Sequence, residues 1–181
     1  LVETDLRGVF SHGTRQLDGY IQMMIDQKVN PRPNIQIEVS GQTTAVFDGD
    51  GGMGHLPSYQ AAQFVVEAAK SSGIAGAVTR NHFHFGAAGK YSRLALEQDC
   101  IGFATSAHRF RPSKDHSILS ASGASPISFA IPAGKQPPIV VDMGAYLGGS
   151  GELSQDQLFK YIPATFFKFI GLGAAAHMMG G

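Results

Sequence analysis

A short apolar run at Ile74–Val78 leads into a turn, a helical pattern over Ala88–Gln98 leads out of it, and a second apolar run follows at Ile101–Thr105. Short apolar runs bounded by turn residues read as buried strands, and a strand–helix–strand rhythm demands a sheet with helices on its faces. The fold class that follows is α/β. The turn itself, Arg80 to Tyr91, reads Arg-Asn-His-Phe-His-Phe-Gly-Ala-Ala-Gly-Lys-Tyr. It sets two imidazoles, His82 and His84, beside small residues that let backbone approach a ligand closely.

The flanking sequence agrees with that class. Leu17, Tyr20, Ile21, Met24 and Ile25 are spaced as one apolar face of a helix of about ten residues, stopped by Asn30-Pro31-Arg32-Pro33. Ile35–Val39 and Thr44–Phe47 predict a hairpin across Gly41-Gln42. Asp48-Gly49-Asp50-Gly51-Gly52 reads as turn chemistry, with too few regularly spaced oxygen ligands for a calcium loop. Pro57-Ser58 predicts the start of the next helix, with Ser58 as N-cap, a buried face of Phe64, Val65, Ala68 and Ala69, and an end at Ser72-Gly73. Pro126–Ile131 and Pro138–Val141 predict two more strands. Asp142 caps the second at its C-terminal end, where α/β sheets present ligand-binding groups. Arg109–Ser122 reads as a polar loop and Leu147–Gln155 as a glycine-rich one. Pro163 opens a last helix, Ala164–Met179, whose apolar character all round predicts burial or a subunit interface.

Composition narrows the function classes. The 181 residues carry no net formal charge, with 43% hydrophobic and 15% charged residues. That length predicts a single domain over 1–181, and the neutral balance argues against nucleic acid or a membrane surface as partner. Cys100 is the lone cysteine, so no internal disulfide forms and nothing points to an oxidising compartment. No charged-then-apolar signal opens the chain, and Phe166–Met179 is too short and too interrupted, by Lys168 and His177, to span a bilayer. A cytoplasmic location is the expectation. Leu1 at the start and Gly180-Gly181 directly after a helical pattern read as the ends of a shortened or incomplete chain.

Several chemistries lack their signatures. No Gly-x-Gly-x-x-Gly follows a strand, since Gly171-Leu172-Gly173 lies inside the last helical pattern. No phosphate-binding Walker loop, Cys/His metal cluster or Gly-x-Ser-x-Gly elbow is present. His82 and His84 have no carboxylate or cysteine nearby in sequence to complete a metal site. A single histidine is ordinarily structural or solvated. His12 and His84 differ in context, because each sits near glycine at an element boundary, where an imidazole can face a cleft and exchange a proton near neutral pH.

A set of colinear motifs adds to this reading. Asp5-Leu6-Arg7-Gly8-Val9-Phe10-Ser11-His12-Gly13 resembles the Asp-Leu-Arg-Gly-x-x-Ser-His-Gly signature of the malate/L-lactate dehydrogenase family. That family is the non-Rossmann type, which includes sulfolactate, ureidoglycolate and diketogulonate oxidoreductases. Phe47–Gly51, His84–Gly89, Gly123–Ile127, Ile139–Met143 and Phe167–Leu172 match further stretches in the same order.

The resemblance implies a non-Rossmann dinucleotide-binding fold of the sulfolactate dehydrogenase type, with a mixed sheet and flanking helices. It implies a homodimer that uses NAD or NADP to interconvert a small 2-hydroxy acid and its 2-oxo form. By position it makes His12 and His84 the catalytic acid/base candidates, with Ser11 at the substrate. It assigns His108, Asp142, Met143, Gly144 and Lys168 to the cofactor. The substrate carboxylate calls for a guanidinium, and Arg15 is the candidate.

The chain also departs from the family. Gln16 holds the place of the family's arginine, and Arg15, one residue earlier, is rotated by about 100° on a helix. Gly-Ala-Ser-Pro replaces Gly-Thr-Asn-Pro, and the segment between Asp142 and Lys168 is short. The departures leave two rival readings: a non-catalytic homologue that binds or scaffolds, and an enzyme acting on a carbonyl without a carboxylate.

Overall fold

The computed structural model describes residues 1–39, 41–107, 125–145 and 155–180. In chain order these form α1 (Val2–Leu6), α2 (Leu17–Ile25), β1 (Gln36–Val39), β2 (Thr44–Asp48), α3 (His55–Ser72), β3 (Gly76–Arg80) and α4 (Gly89–Ser92). Then follow β4 (Gly102–Thr105), β5 (Pro126–Ile131), β6 (Ile139–Gly144), α5 (Gln155–Tyr161) and α6 (Pro163–Gly180). Short 3-10 turns lie at Phe10–His12, Thr14–Gln16 and Arg93–Gln98.

The strands make two three-stranded sheets. In the first, β1 pairs antiparallel with β2, and β2 pairs parallel with β3 through the α3 crossover. In the second, β4, β5 and β6 are antiparallel in sequence order. The predicted α/β class and mixed sheet are therefore present, the mixed pairing in the first sheet. The predicted hairpin is β1–β2.

α3 lies between two apolar clusters, and its small residues allow both. Ala61 and Phe64 pack toward Ala45, Phe47 and Ala77 of the first sheet. Ala62, on another face, packs with Phe85, Ala88 and Tyr91, which also meet Ala104 of β4. A third cluster joins Ile127 of β5 to Leu172 and Ala176 of α6. The buried residues of α3 are Pro57, Ser58 and Ala61, so its core face is centred further N-terminally than the predicted Phe64–Ala69 face. The helix begins at His55 after Gly54, so Ser58 is a buried interior residue and not an N-cap; Gly73, at φ 82°, ends it as expected.

Other boundaries shift for physical reasons. β3 starts two residues later than the apolar run suggests, because Thr44–Asp48 sets its register through Gly76–Arg80. The predicted helix Ala88–Gln98 is one α-helical turn followed by a 3-10 stretch. There Gly102 comes so close that a Cβ on it would lie 2.0 Å from the Ser92 carbonyl oxygen. β6 runs on to Gly144, so Asp142 lies within the strand and does not cap it. The apolar face of α2 buries only Tyr20, while Leu17, Ile21 and Ile25 are exposed. α6 is one-sided: Phe166, Gly173, Ala176 and His177 are buried, whereas Phe167, Met178 and Met179 are exposed. The Arg109–Ser122 loop lies outside the described residues, as do residues 147–154 of the glycine-rich loop.

Gly102→Ala is expected to destabilise the protein by about 1–3 kcal/mol, because backbone and not a flexible tip must give way. Gly171→Ala is the counterpart, since its Cβ would meet open space within α6, and a gain of about 0.5–1 kcal/mol is expected. Urea midpoints of the two variants against wild type check both signs.

Candidate active site

The loop after β2 positions the histidine turn after β3. Gly49 and Gly51 donate their N–H groups to the carbonyls of Arg80 and Asn81, Phe83 donates to Gly52, and Gly54 donates to His84. The two irregular segments thus continue the β2–β3 pairing past the strand ends. Glycine is needed here because a Cβ on Gly49 would strike His82 and one on Gly54 would strike His82, Phe83 and Phe85. The two aspartates do serve as turn chemistry: Asp48 accepts from the Asp50 and Asn81 nitrogens, and Asp50 accepts from Asn30 and Asn34. His82 is a packing residue, with Nε2 at 2.8 Å from the Thr79 hydroxyl and Nδ1 at 2.7 Å from the Phe83 carbonyl oxygen.

The Ser11-His12-Gly13 loop is held from behind. Asp5 accepts the Thr14 N–H at 3.0 Å and the Thr14 hydroxyl at 2.6 Å. Its carboxylate rests on Gly13, where any side chain would collide with it. The Thr14 bonds hold the Asp5 carboxyl below the usual carboxylate range.

These two supports bring His12 and His84 together. Their ring centroids lie 5.4 Å apart. The Ser11 hydroxyl lies 2.9 Å from His12 Nδ1, and the Tyr20 hydroxyl lies 2.5 Å from His84 Nδ1. Each ring is thereby oriented by a hydroxyl on one nitrogen. His55 completes the cluster, edge-on to Tyr20 at 5.5 Å and to His84 at 6.5 Å.

Burial, then the neighbouring His12, lowers the His84 pKa. Burial, then Lys90 and His84, pushes His55 down to about 4. Burial raises the Tyr20 hydroxyl. At neutral pH the cluster therefore holds His84 and His55 as neutral imidazoles. Tyr20 and His55 were hidden in the sequence, the first as one more apolar-face residue of α2 and the second as a histidine at a helix start. The signal for Tyr20 is its hydroxyl on a buried helix face, which must find a partner.

Asp142 opens a second region. Together with Thr4, Arg7, Val9, Ala87, Gly89, Lys90, Arg93 and Val140 it lines a cleft of about 190 Å³ between α1, α4 and β6. A Cβ on Gly89 would lie 2.2 Å from Asp142 Oδ2, so glycine there lets the carboxylate lie against the α4 backbone. Strand alternation sends Met143, the partner of Ile127, to the opposite sheet face from Asp142 and Gly144. Arg15 is exposed on its 3-10 turn, while the Gln16 amide donates to the Ser11 carbonyl at 2.6 Å. Lys168 is exposed on α6 and does not line the cleft. His108 lies outside the described residues. Among the described residues no group of three or more His, Cys, Asp or Glu is arranged to hold a metal ion.

A βαβ unit beside an antiparallel sheet, with a hydroxyl-oriented histidine pair where the loop after β3 meets the turn after α1, defines an α/β protein with an imidazole cluster. The family described as malate/L-lactate dehydrogenase matches residues 1–154, and the chain belongs to it. Malate dehydrogenase from Pyrococcus horikoshii is 35% identical over 153 residues, which are 84% of this chain and 42% of that relative. Its solved structure superposes with a TM-score of 0.70 over 84% of this chain and 43% of that one. L-sulfolactate dehydrogenase from Methanocaldococcus jannaschii is 42% identical over 101 residues, 56% of this chain and 29% of the relative. The sulfolactate dehydrogenase structure from that organism superposes with a TM-score of 0.67 at 30% identity, covering 91% of this chain and 46% of that one. The α/β fold is that of these malate and sulfolactate dehydrogenases. The chain spans less than half the length of each of these relatives.

The His55 environment carries a pH signature. A histidine held neutral in the fold takes up a proton on unfolding, so its stabilising effect is complete above pH 6.5 and is lost as pH falls from 6.5 towards 4. Because the ring is partly solvated, the loss is expected to be about 1–2 kcal/mol. His55→Phe should flatten this acid-side decline, measured as thermal midpoint against pH.

Proposed function

We propose that this chain carries the acid–base site of an NAD(P)-dependent oxidoreductase that interconverts a small 2-hydroxy acid and its 2-oxo form. The observation that carries the reading is the His12–His84 pair, joined across the fold with Ser11 and Tyr20 on the two Nδ1 atoms. That arrangement leaves Nε2 of each ring as the nitrogen for a substrate proton. The names of the matched relatives, malate and L-sulfolactate dehydrogenase, support the substrate class.

In the oxidising direction His84 Nε2 takes the hydroxyl proton as hydride leaves the adjacent carbon. For this the neutral ring carries its proton on Nδ1 and donates it to the Tyr20 oxygen, which leaves the Nε2 lone pair free, and the imidazolium keeps that bond. In the reducing direction the same nitrogen returns the proton to the forming alkoxide. The lowered His84 pKa keeps the ring neutral and able to accept at neutral pH. His12, oriented by Ser11, holds the substrate oxygen from the other side. Arg15 is the proposed partner of the substrate carboxylate, reached across the exposed mouth of the site.

A nicotinamide, when bound, supplies the hydride acceptor and donor. The donor set fits such a cofactor: a carboxylate held in place against Gly89, with cationic side chains around it. Asp142, Met143 and Gly144 on β6, with Lys168 and His108, are the proposed cofactor residues. Met143, whose side chain lies on the opposite sheet face from Asp142, would contribute through its backbone. A homodimer and a cytoplasmic location complete the proposal. No helix among the described residues is long and apolar enough to cross a membrane. Sedimentation of the chain tests the dimer.

Titration with NADH and NADPH, followed by nicotinamide fluorescence or thermal shift, tests the reading first. Binding of neither at millimolar concentration overturns it. With a cofactor bound, His12→Ala and His84→Ala are each expected to lower turnover of a 2-oxo acid by about two to four powers of ten while cofactor affinity stays unchanged. Unchanged rates would remove the pair from the acid–base role.

A further inference from the structure

We propose that Arg7, Lys90 and Arg93 form the seat for the diphosphate of the dinucleotide, with Asp142 accepting a hydroxyl of the adjoining ribose. This inference rests on the oxidoreductase reading and assigns to the cofactor three residues outside the set that the family resemblance supplies.

The geometry starts from α4. Lys90 and Arg93 are three residues apart on a helical stretch, so they share a face. Arg7 enters from α1, held by Glu3 at 3.1 Å. All three line one cleft in which Asp142 is the only carboxylate among the described residues. Glu3 is exposed and engaged with Arg7 on the outer side. Three cations stand against two carboxylates, Asp142 in the cleft and the Glu3 that pairs with Arg7, and the remaining positive charge calls for an anion.

Two of the three cations also have spare bonding capacity. Arg93 Nε is buried with no hydrogen-bond partner in the protein. A buried N–H left unmade is costly, and a phosphate oxygen is the acceptor that guanidinium geometry suits best. Lys90 lies over the rings of Tyr59 and Tyr91, at 5.7 and 5.6 Å from their centroids. Those contacts position its ammonium and leave its donors available. Burial, then the neighbouring Arg7, lowers the Arg93 pKa, and Asp142 and Glu3 offset part of that, as expected where cations are gathered at one cleft.

Two phosphate sources share this chemistry, the diphosphate linkage and the 2′-phosphate of NADP. Asp142 decides between them. A carboxylate accepts ribose hydroxyls and repels a 2′-phosphate. The cleft and the histidine pair share one stretch of chain, because the lining residues Ala87, Gly89 and Lys90 follow His84 within six residues.

The test uses the full chain and three probes, NADH, NADPH and inorganic pyrophosphate, with affinity read by fluorescence or calorimetry. Arg93→Gln, Lys90→Gln and Arg7→Gln are compared with Lys70→Gln, a surface lysine paired only with Glu67. Circular dichroism melts confirm folding, and Arg93→Lys stands in if Arg93→Gln does not fold. The expected result is that each cleft variant weakens NADH and NADPH alike by about tenfold or more, weakens pyrophosphate in parallel, and reduces the salt dependence of binding. Lys70→Gln leaves all three unchanged.

Unchanged NADH affinity in the cleft variants overturns the inference while leaving the oxidoreductase reading intact. Loss confined to NADPH assigns the cations to the 2′-phosphate and overturns the diphosphate seat. Pyrophosphate binding that is lost in the variants, with no binding of either dinucleotide, overturns the dinucleotide assignment together with the oxidoreductase reading. Binding of none of the probes overturns both.

Discussion

The buried hydroxyl pair between Ser92 and Ser128 fixes the part of the molecule on which everything else rests. Ser92 Oγ lies 2.8 Å from Ser128 Oγ, and Ser128 in turn donates to the Val141 carbonyl at 2.9 Å. Both serines are almost fully buried, so neither hydroxyl has water as an alternative partner. The bond ties α4 to the middle strand of the second sheet and to its neighbour β6. Gly102 closes the same joint from β4, where backbone meets backbone. α3 packs on the other side of α4 through Ala62. α4 is therefore clamped between the βαβ unit and the second sheet, and the turn that precedes it has little freedom.

That clamp gives one short stretch two electrostatically opposite edges. Upstream, His84 meets Tyr20, His12 and the largely buried His55, in surroundings that favour neutral rings. Downstream, Lys90 and Arg93 face a cleft with Asp142 and Arg7. A proton-transfer site needs groups that gain and lose charge easily, whereas an anion seat needs fixed charge. Placing them a few residues apart puts charge next to the imidazoles, and Lys90 is indeed one of the causes that depress His55. Lys90 thus helps to keep His55 neutral.

The sequence made some of this legible and hid the rest in physical ways. Local patterns revealed the β1–β2 hairpin, α3, the strands at Pro126–Ile131 and the last helix, because periodicity and glycine or proline stops act within a few residues. Motif order pointed to His12, His84 and Asp142 as candidates. Pairings that close over long sequence distances were not legible. Nothing local shows that Tyr20 meets His84, or that Arg7 of α1 meets Arg93. The N-cap placed at Ser58 failed because Gly54 is already committed to the His84 carbonyl, which starts the helix earlier. The end of β6 was placed too early because Asp142 interrupts an apolar run. The ladder nevertheless continues, Ser128 opposite Asp142 and Pro126 opposite Gly144.

The Asp-Leu-Arg-Gly-x-x-Ser-His-Gly stretch then acquires a structural meaning that its pattern alone does not supply. Asp5 holds the loop carrying Ser11 and His12 by binding Thr14 and lying against Gly13. Arg7, two residues on, turns to the cleft shared with Asp142. Gly8, at φ 77°, allows the chain to turn between Arg7 and the loop that carries Ser11 and His12. One segment thus orients a catalytic candidate with its first residue and charges the neighbouring cleft with its third. A change at Asp5 would release the His12 loop, and a change at Arg7 would alter the cleft. The motif keeps both residues at fixed spacing because the two regions are built against opposite ends of the same histidine turn.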